Sequence, residues 1–136
     1  MNRTAAAKWL KQALHDLDMA GRNVGIGGYD TAAFLAHQAV EKLLKALLAA
    51  QGRAAPKMHF VDELAEQLEL PAAVRVHIDG LSADYMLSRY PDVSDLVPYE
   101  QYDEALANEK VRAARSVFEP LKERYRDLLP SEETND

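Results

Sequence analysis

The chain has 136 residues, a formal net charge of −6 and no cysteine. The length points to a single domain, and the missing cysteines exclude disulfides and thiolate metal sites. The acidic balance counts against a general nucleic-acid binder, which usually carries a basic excess, though it leaves room for a local basic pocket.

Hydrophobic residues make up 48% of the sequence, enough for a buried core, and charged residues 28%, the ordinary share for a soluble domain. No apolar run approaches the ~20 residues of a membrane span. The first residues lack the basic-then-apolar layout of a secretion signal. A cytoplasmic protein with no membrane contact is therefore expected. Glu132, Glu133 and Asp136 carry three of the excess negative charges, all in a polar tail.

A first helix is predicted from Thr4, whose side chain can cap it, to about Asn23. Trp9, Ala13, Leu17 and Ala20 form its apolar stripe, widened by Leu10 and Leu14. Gly25-Ile26-Gly27-Gly28 then precedes a helix start, where a glycine-rich loop can cradle phosphate. No strand leads into it and no Walker lysine follows, so it reads as a helix–helix turn.

The second predicted helix, Tyr29–Gln51, organises the rest. Asp30 is a suitable N-cap, and Gly52 a natural stop, free to enter the left-handed region. Phe34, Val40, Leu43, Leu44, Leu47 and Leu48 recur at three- and four-residue spacings and share one broad face. His37, Gln38, Glu41, Lys42 and Lys45 interrupt that face. Glu41 precedes Lys45 by one turn, the favourable order for an ion pair. At ~1.5 Å per residue the helix is roughly 33 Å long, enough to cross a small domain. The other helices are expected to pack around it.

Gly52–Pro56 reads as a loop and Phe60–Leu68 as a short helix. Pro71 suits the first turn of another helix, running to about Leu87, with Val74, Ile78, Leu81 and Tyr85 as its buried stripe. Ser88–Pro98 is a loop with two prolines. A last helix is predicted from about Tyr99 to Leu129, kinked at Pro120. No strand pattern and no internal repeat appear. The fold class is therefore all-α: an antiparallel bundle of four to five helices over residues 1–129, followed by a polar disordered tail at 130–136.

Three stretches then combine: Trp9 with Asp16-Leu17, Phe34–Leu48 (FLAHQAVEKLLKALL) and Ser88–Asp92 (SRYPD), with His59 between the last two. Together they cover nearly the whole chain, to about Leu128, and the combination resembles the HEPN family, the higher eukaryotes and prokaryotes nucleotide-binding domain. Its most specific parts are Gln38-Ala39-Val40-Glu41-Lys42 and Arg89-Tyr90-Pro91-Asp92. The resemblance implies a helical bundle that commonly forms a homodimer. In small prokaryotic members it implies pairing with a minimal nucleotidyltransferase, as in a toxin–antitoxin couple. For many members it also implies metal-independent ribonuclease activity, from an arginine followed, after four to six residues, by a histidine. Such chemistry wants an acid or base working near neutrality beside a cation that stabilises a developing phosphorane.

Arg89 stands at the matching arginine, but Ser94, Asp95 and Leu96 occupy the positions where histidine is required. The one pair with the right spacing, Arg53 and His59, lies earlier in the chain than the family's motif. The departure shifts the expectation from catalysis to binding. The leading expectation is a HEPN-type binding module working with a minimal nucleotidyltransferase, with a nucleotide or RNA as further candidate ligand. The alternatives are a metal-independent ribonuclease using His59, Arg89 and Arg53, and a non-catalytic dimeric scaffold. For the dimer face, Tyr85, Met86 and the last helix are the candidates.

The ligand site is expected in a cleft between the middle of the second helix, the His59 region and the Arg89 loop. Lys42 and Lys45 are its candidate cations. Arg89 can hold a phosphate with two hydrogen bonds, Tyr90 can stack on a base, and Asp92 can orient Arg89. Against these stand plainer readings: solvated lysines, a half-buried His59 and a purely structural loop. His37 reads as a core or interface histidine; His15 and His77 carry no motif. No cofactor and no metal site are expected. His37 and Glu41 have helical i,i+4 spacing but no HExxH or repeated ExxH pattern.

Overall fold

The computed structural model describes residues 2–129, which form helices, turns and coil, with no strand among the described residues. The tail expected at 130–136 lies outside them. Helix α1 spans Arg3–Gly25. Its cap is Asn2, whose side chain accepts the Ala5 N–H at 3.0 Å, and not Thr4, which already lies inside the first turn. The short amide of Asn2 reaches the N–H three residues on, the bond that makes asparagine a strong cap.

The turn after α1 is built by Gly27, whose φ is +79°. Gly27 N–H donates to Val24 O at 3.2 Å and Gly28 N–H to Asn23 O at 2.8 Å, the two bonds of a Schellman closure. It is the helix–helix turn expected. The next helix, α2, spans Tyr29–Ala50 with Gly28 as its N-cap and no side-chain cap. Asp30 therefore does not cap it; it sits within the first turn, where its charge meets the positive end of the helix dipole. Gly52, at φ +80°, closes the other end as predicted: Gly52 N–H donates to Ala49 O and Arg53 N–H to Leu48 O, both at 3.0 Å.

Helix α2 is the axis of the bundle. Of its 22 residues 14 are buried, against 5 of 23 in α1, so it is enclosed while α1 is merely amphipathic. Its buried alanines, among them Ala32, Ala36, Ala39 and Ala46, let neighbouring backbones come close, and Leu43, Leu44 and Leu48 fill the spaces between. Asn2 N–H donates to Ala49 O at 3.2 Å, so α1 and α2 are antiparallel. Arg3 reaches Asp127 O at 2.6 Å, so the chain's last described turn ends at the same pole as the start of α1.

The middle of the chain is more broken than its periodicity suggests. Helix α3 is Val61–Glu66 and α4 is Ala72–Asp79. The single helix predicted from Pro71 to Leu87 stops at Gly80 and resumes as α5, Asp84–Leu87. Lys110 captures the Gly80 carbonyl at 2.7 Å, and the Asp84 N–H turns to Leu81 O, so a tertiary bond replaces a helical one. Pro98–Gln101 forms the separate turn α6, with the proline at its start. Helix α7, Glu104–Tyr125, begins only after Asp103, whose side chain accepts the Leu106 N–H at 2.8 Å. It continues through Pro120 because Val117, Phe118 and Leu121 are buried on either side of it. A 3₁₀ turn, Arg126–Leu128, ends the described chain. Through this broken return, α7 comes back antiparallel to α1 and beside α2. Among the described residues no helix is long and apolar enough to cross a membrane.

Candidate functional site

The polar residues of α2 stack on successive turns. His37, Glu41 and Lys45 are all buried. Glu41 Oε2 accepts a hydrogen bond from Lys45 Nζ at 3.1 Å and lies 3.1 Å from His59 Nδ1. The ion pair anticipated from spacing therefore forms, but inside the protein and not on a solvated face. His37 Nδ1 is 4.0 Å from Glu41 Oε1, and neither ring nitrogen of His37 has a hydrogen-bond partner among the described residues. Burial above all, and then the nearby His59, lower the His37 pKa to about 4. His37 is thus neutral at pH 7.

Both candidate lysines are spoken for. Lys45 sits over the Trp9 ring, 5.3 Å from its centroid, with Glu41 as its counter-ion. Lys42 Nζ lies 2.5 Å from Asp16 Oδ2, and Gln12 donates to the other Asp16 oxygen at 2.8 Å. Taking either lysine for an anion would strand a buried carboxylate, a heavy penalty. In the plain reading they join helices.

The loop side is different. His59 keeps 49% of its side chain exposed and stacks on Tyr85, with centroids 5.0 Å apart and planes at 6°. Tyr85 also touches His37, Phe60 and Tyr90 at 5.4, 5.9 and 6.4 Å. Burial, and then the Tyr90 hydroxyl, push the Tyr85 hydroxyl pKa up. The Arg89 guanidinium lies 5.2 Å from the Phe34 ring centroid and 5.7 Å from that of Tyr90, within cation–π range. Arg89 is exposed, and it rests on rings instead of being oriented by Asp92, which is also exposed.

The structure thus brings His59, Tyr85, Tyr90 and Arg89 into one connected layer with Glu41 and His37 behind it. Arg53 is bound elsewhere. Its guanidinium donates to Gln67 O, to Gln67 Oε1 at 3.3 Å and to Gln51 Oε1 at 3.4 Å, tying the loop after α2 to the end of α3. Tyr85 was legible only as a buried-stripe or dimer-face residue, and Phe34 only as part of an apolar face. Their contacts depend on α5 crossing α2, which no local pattern announces.

A second buried cluster holds the loop's root. Asp84 Oδ1 accepts from the Tyr102 hydroxyl at 2.6 Å, and Asp84 Oδ2 is 3.0 Å from Lys110 Nζ. Burial raises the Asp84 pKa, with the Tyr102 hydrogen bond and Lys110 pulling it back. Burial and the Asp84 acceptor push the Tyr102 hydroxyl far up, so the proton stays on the tyrosine. Ser88 Oγ donates to Asp84 O. Sequence spacing gave no sign of this cluster.

The described chain is thus a small all-α bundle around one buried helix, with a charged ladder on that helix and an arginine loop beside it. The HEPN domain model matches residues 6–125, and the chain belongs to that family. It is similar to TT1696 from Thermus thermophilus, at 33% identity and a TM-score of 0.81, covering 90% of this chain and 98% of that one. It is also similar to ST0689, an archaeal HEPN homologue, at 34% identity and a TM-score of 0.75, covering 88% and 97%. A HEPN domain protein from Thermotoga maritima, at 23% identity and a TM-score of 0.64 over 85% and 95% of the two chains, shares the fold. No curated protein matches the chain.

Proposed function

We propose that this HEPN-domain protein is a binding module that works with a minimal nucleotidyltransferase, with a nucleotide as a further ligand. The observation that supports this is Arg89. It is exposed, lies over Phe34 and Tyr90, and has no carboxylate partner among the described residues. A planar guanidinium held in place by rings is ready for a bidentate acceptor, whether a partner carboxylate or a phosphate. Lys42 and Lys45, by contrast, are neutralised internally. Co-expression with a nucleotidyltransferase encoded beside the gene is expected to yield a stable complex, weakened about tenfold or more by Arg89→Ala. A neighbourhood without such a gene, or a pair that never co-purifies, removes the reading.

A metal-independent ribonuclease is the second reading, favoured by the His59–Glu41 contact. A buried carboxylate at Nδ1 orients the imidazole and leaves its other edge toward the half-exposed surface, a geometry suited to a general base. On this reading the protein cuts RNA in the presence of chelator and His59→Ala abolishes cutting without unfolding. Intact RNA under those conditions leaves binding as the function. A two-fold homodimer is proposed for either case, as the commonest closed symmetry. Light scattering should then give about twice 15.2 kDa, and a clean monomer at micromolar concentration would refute it.

A further inference from the structure

Between Ser88 and Tyr102 the chain runs over the surface of the bundle, with Arg89 and α6 lying against α2. No residue from 89 through 101 is buried, although both flanking residues are. The excursion is closed at its root by the Tyr102–Asp84 hydrogen bond and by Lys110, which binds Asp84 and Gly80 together. It carries Tyr90, Val93, Leu96 and Tyr99, four of the seven exposed large hydrophobic residues in the described chain. Tyr85 joins Tyr90 to a fifth, Phe60. Scattered apolar residues need no explanation, but a run of them on one surface segment marks a contact surface.

The charges on the segment say what kind of surface it meets. Asp92, Asp95 and Glu100 are acidic and only Arg89 is basic, a balance of −2 over residues 89–101. A two-fold pair of chains joined through this segment would apply the same patch to itself and set its acids near their own copies, which like-charge repulsion disfavours. Nucleic acid would bring phosphates toward the same carboxylates. A protein surface with an apolar pocket ringed by lysines and arginines is complementary in both respects.

We propose that residues 89–101 form a docking arm for a partner protein that presents a basic-rimmed apolar pocket. The proposal rests on the reading of the chain as a partner-binding module and names the surface and the partner's chemistry. The test uses the full chain and the neighbouring nucleotidyltransferase, with affinity measured by titration calorimetry at low and high salt. The combined variant Val93→Ser, Leu96→Ser, Tyr99→Ser should bind about thirtyfold more weakly or worse, as expected when central apolar anchors are removed. Its melting curve should match the wild type, since none of the three side chains is in the core. Asp92→Lys with Asp95→Lys should weaken binding at low salt and flatten its salt dependence. If the complex forms and the apolar variant binds as wild type does, the arm is wrong and the partner reading survives. If wild type forms no complex, both fall. A homodimer that the apolar variant splits would make the occupant a second copy and overturn the proposal. So would RNA binding that is lost in that variant.

Discussion

Helix α2 and the segment 89–101 are built on opposite rules. Most of α2 is enclosed, even its charges, and it is held by packing along its whole length. The segment has no fully buried residue and is held by the polar bonds at its root and by surface contacts such as Arg89 on Phe34. The first arrangement spreads stability over many contacts. The second concentrates it in a root and frees the surface between for contact with another molecule. Local stability therefore need not be uniform in this domain.

The contrast is sharpest at Glu41. Glu41→Ala leaves Lys45 buried without a counter-ion and should cost about 3–5 kcal/mol of folding stability by denaturant titration. Leu44→Ala opens the core of the same helix and should cost about 2–5 kcal/mol. Leu96→Ala on the arm should stay within about 0.5 kcal/mol of wild type. Equal losses at Leu44 and Leu96 would erase the distinction between the two regions.

Acid should act through α2 as well. The folded pKa of His37 is lowered to about 4, while the unfolded chain titrates at 6.5. Between those values the unfolded state binds the extra proton, so stability rises with pH and is lost as pH falls through the window, by up to about 3 kcal/mol. Asp84 slopes the other way: its raised pKa means the folded state keeps a proton longer, so its contribution falls as pH rises above 3.8. His37→Leu should flatten the loss between pH 6.5 and 4. An unchanged slope in that variant would assign the acid sensitivity to another group.

The root should respond less than the buried ion pair. Tyr102→Phe removes the donor to Asp84 Oδ1 and leaves a buried oxygen unsatisfied, worth about 1–3 kcal/mol. Its signature is local: amide exchange at 85–102 should quicken while α2 stays protected. Uniform acceleration across α2 as well would show that the arm and the core open as one unit.

The helical class, the central helix, the turn after the first helix, the Gly52 closure and the Glu41–Lys45 pair were legible in the amino-acid order, because each rests on residues within one or two turns of one another. Local competition misled the reading where neighbours in space intervened. Asn2 took the cap from Thr4, and Lys110 took the Gly80 carbonyl and split a helix in two. Asp103, with the extended Tyr102 before it, set the true start of α7.

The site shows the same division. His59, Arg89 and Tyr90 were named through the HEPN resemblance and the loop position of the arginine beside an aromatic residue. Which of them meet was decided only by folding. Arg53 turned to Gln67, Arg89 settled on Phe34 and Tyr90 without Asp92, and Tyr85 became the hinge of the cluster. Periodicity tells which face a residue occupies but not what crosses that face. The sequence alone therefore determined the helices and their apolar faces. Only the packing of α1, α5 and α7 around α2 decided which charges are buried as pairs and which stay exposed.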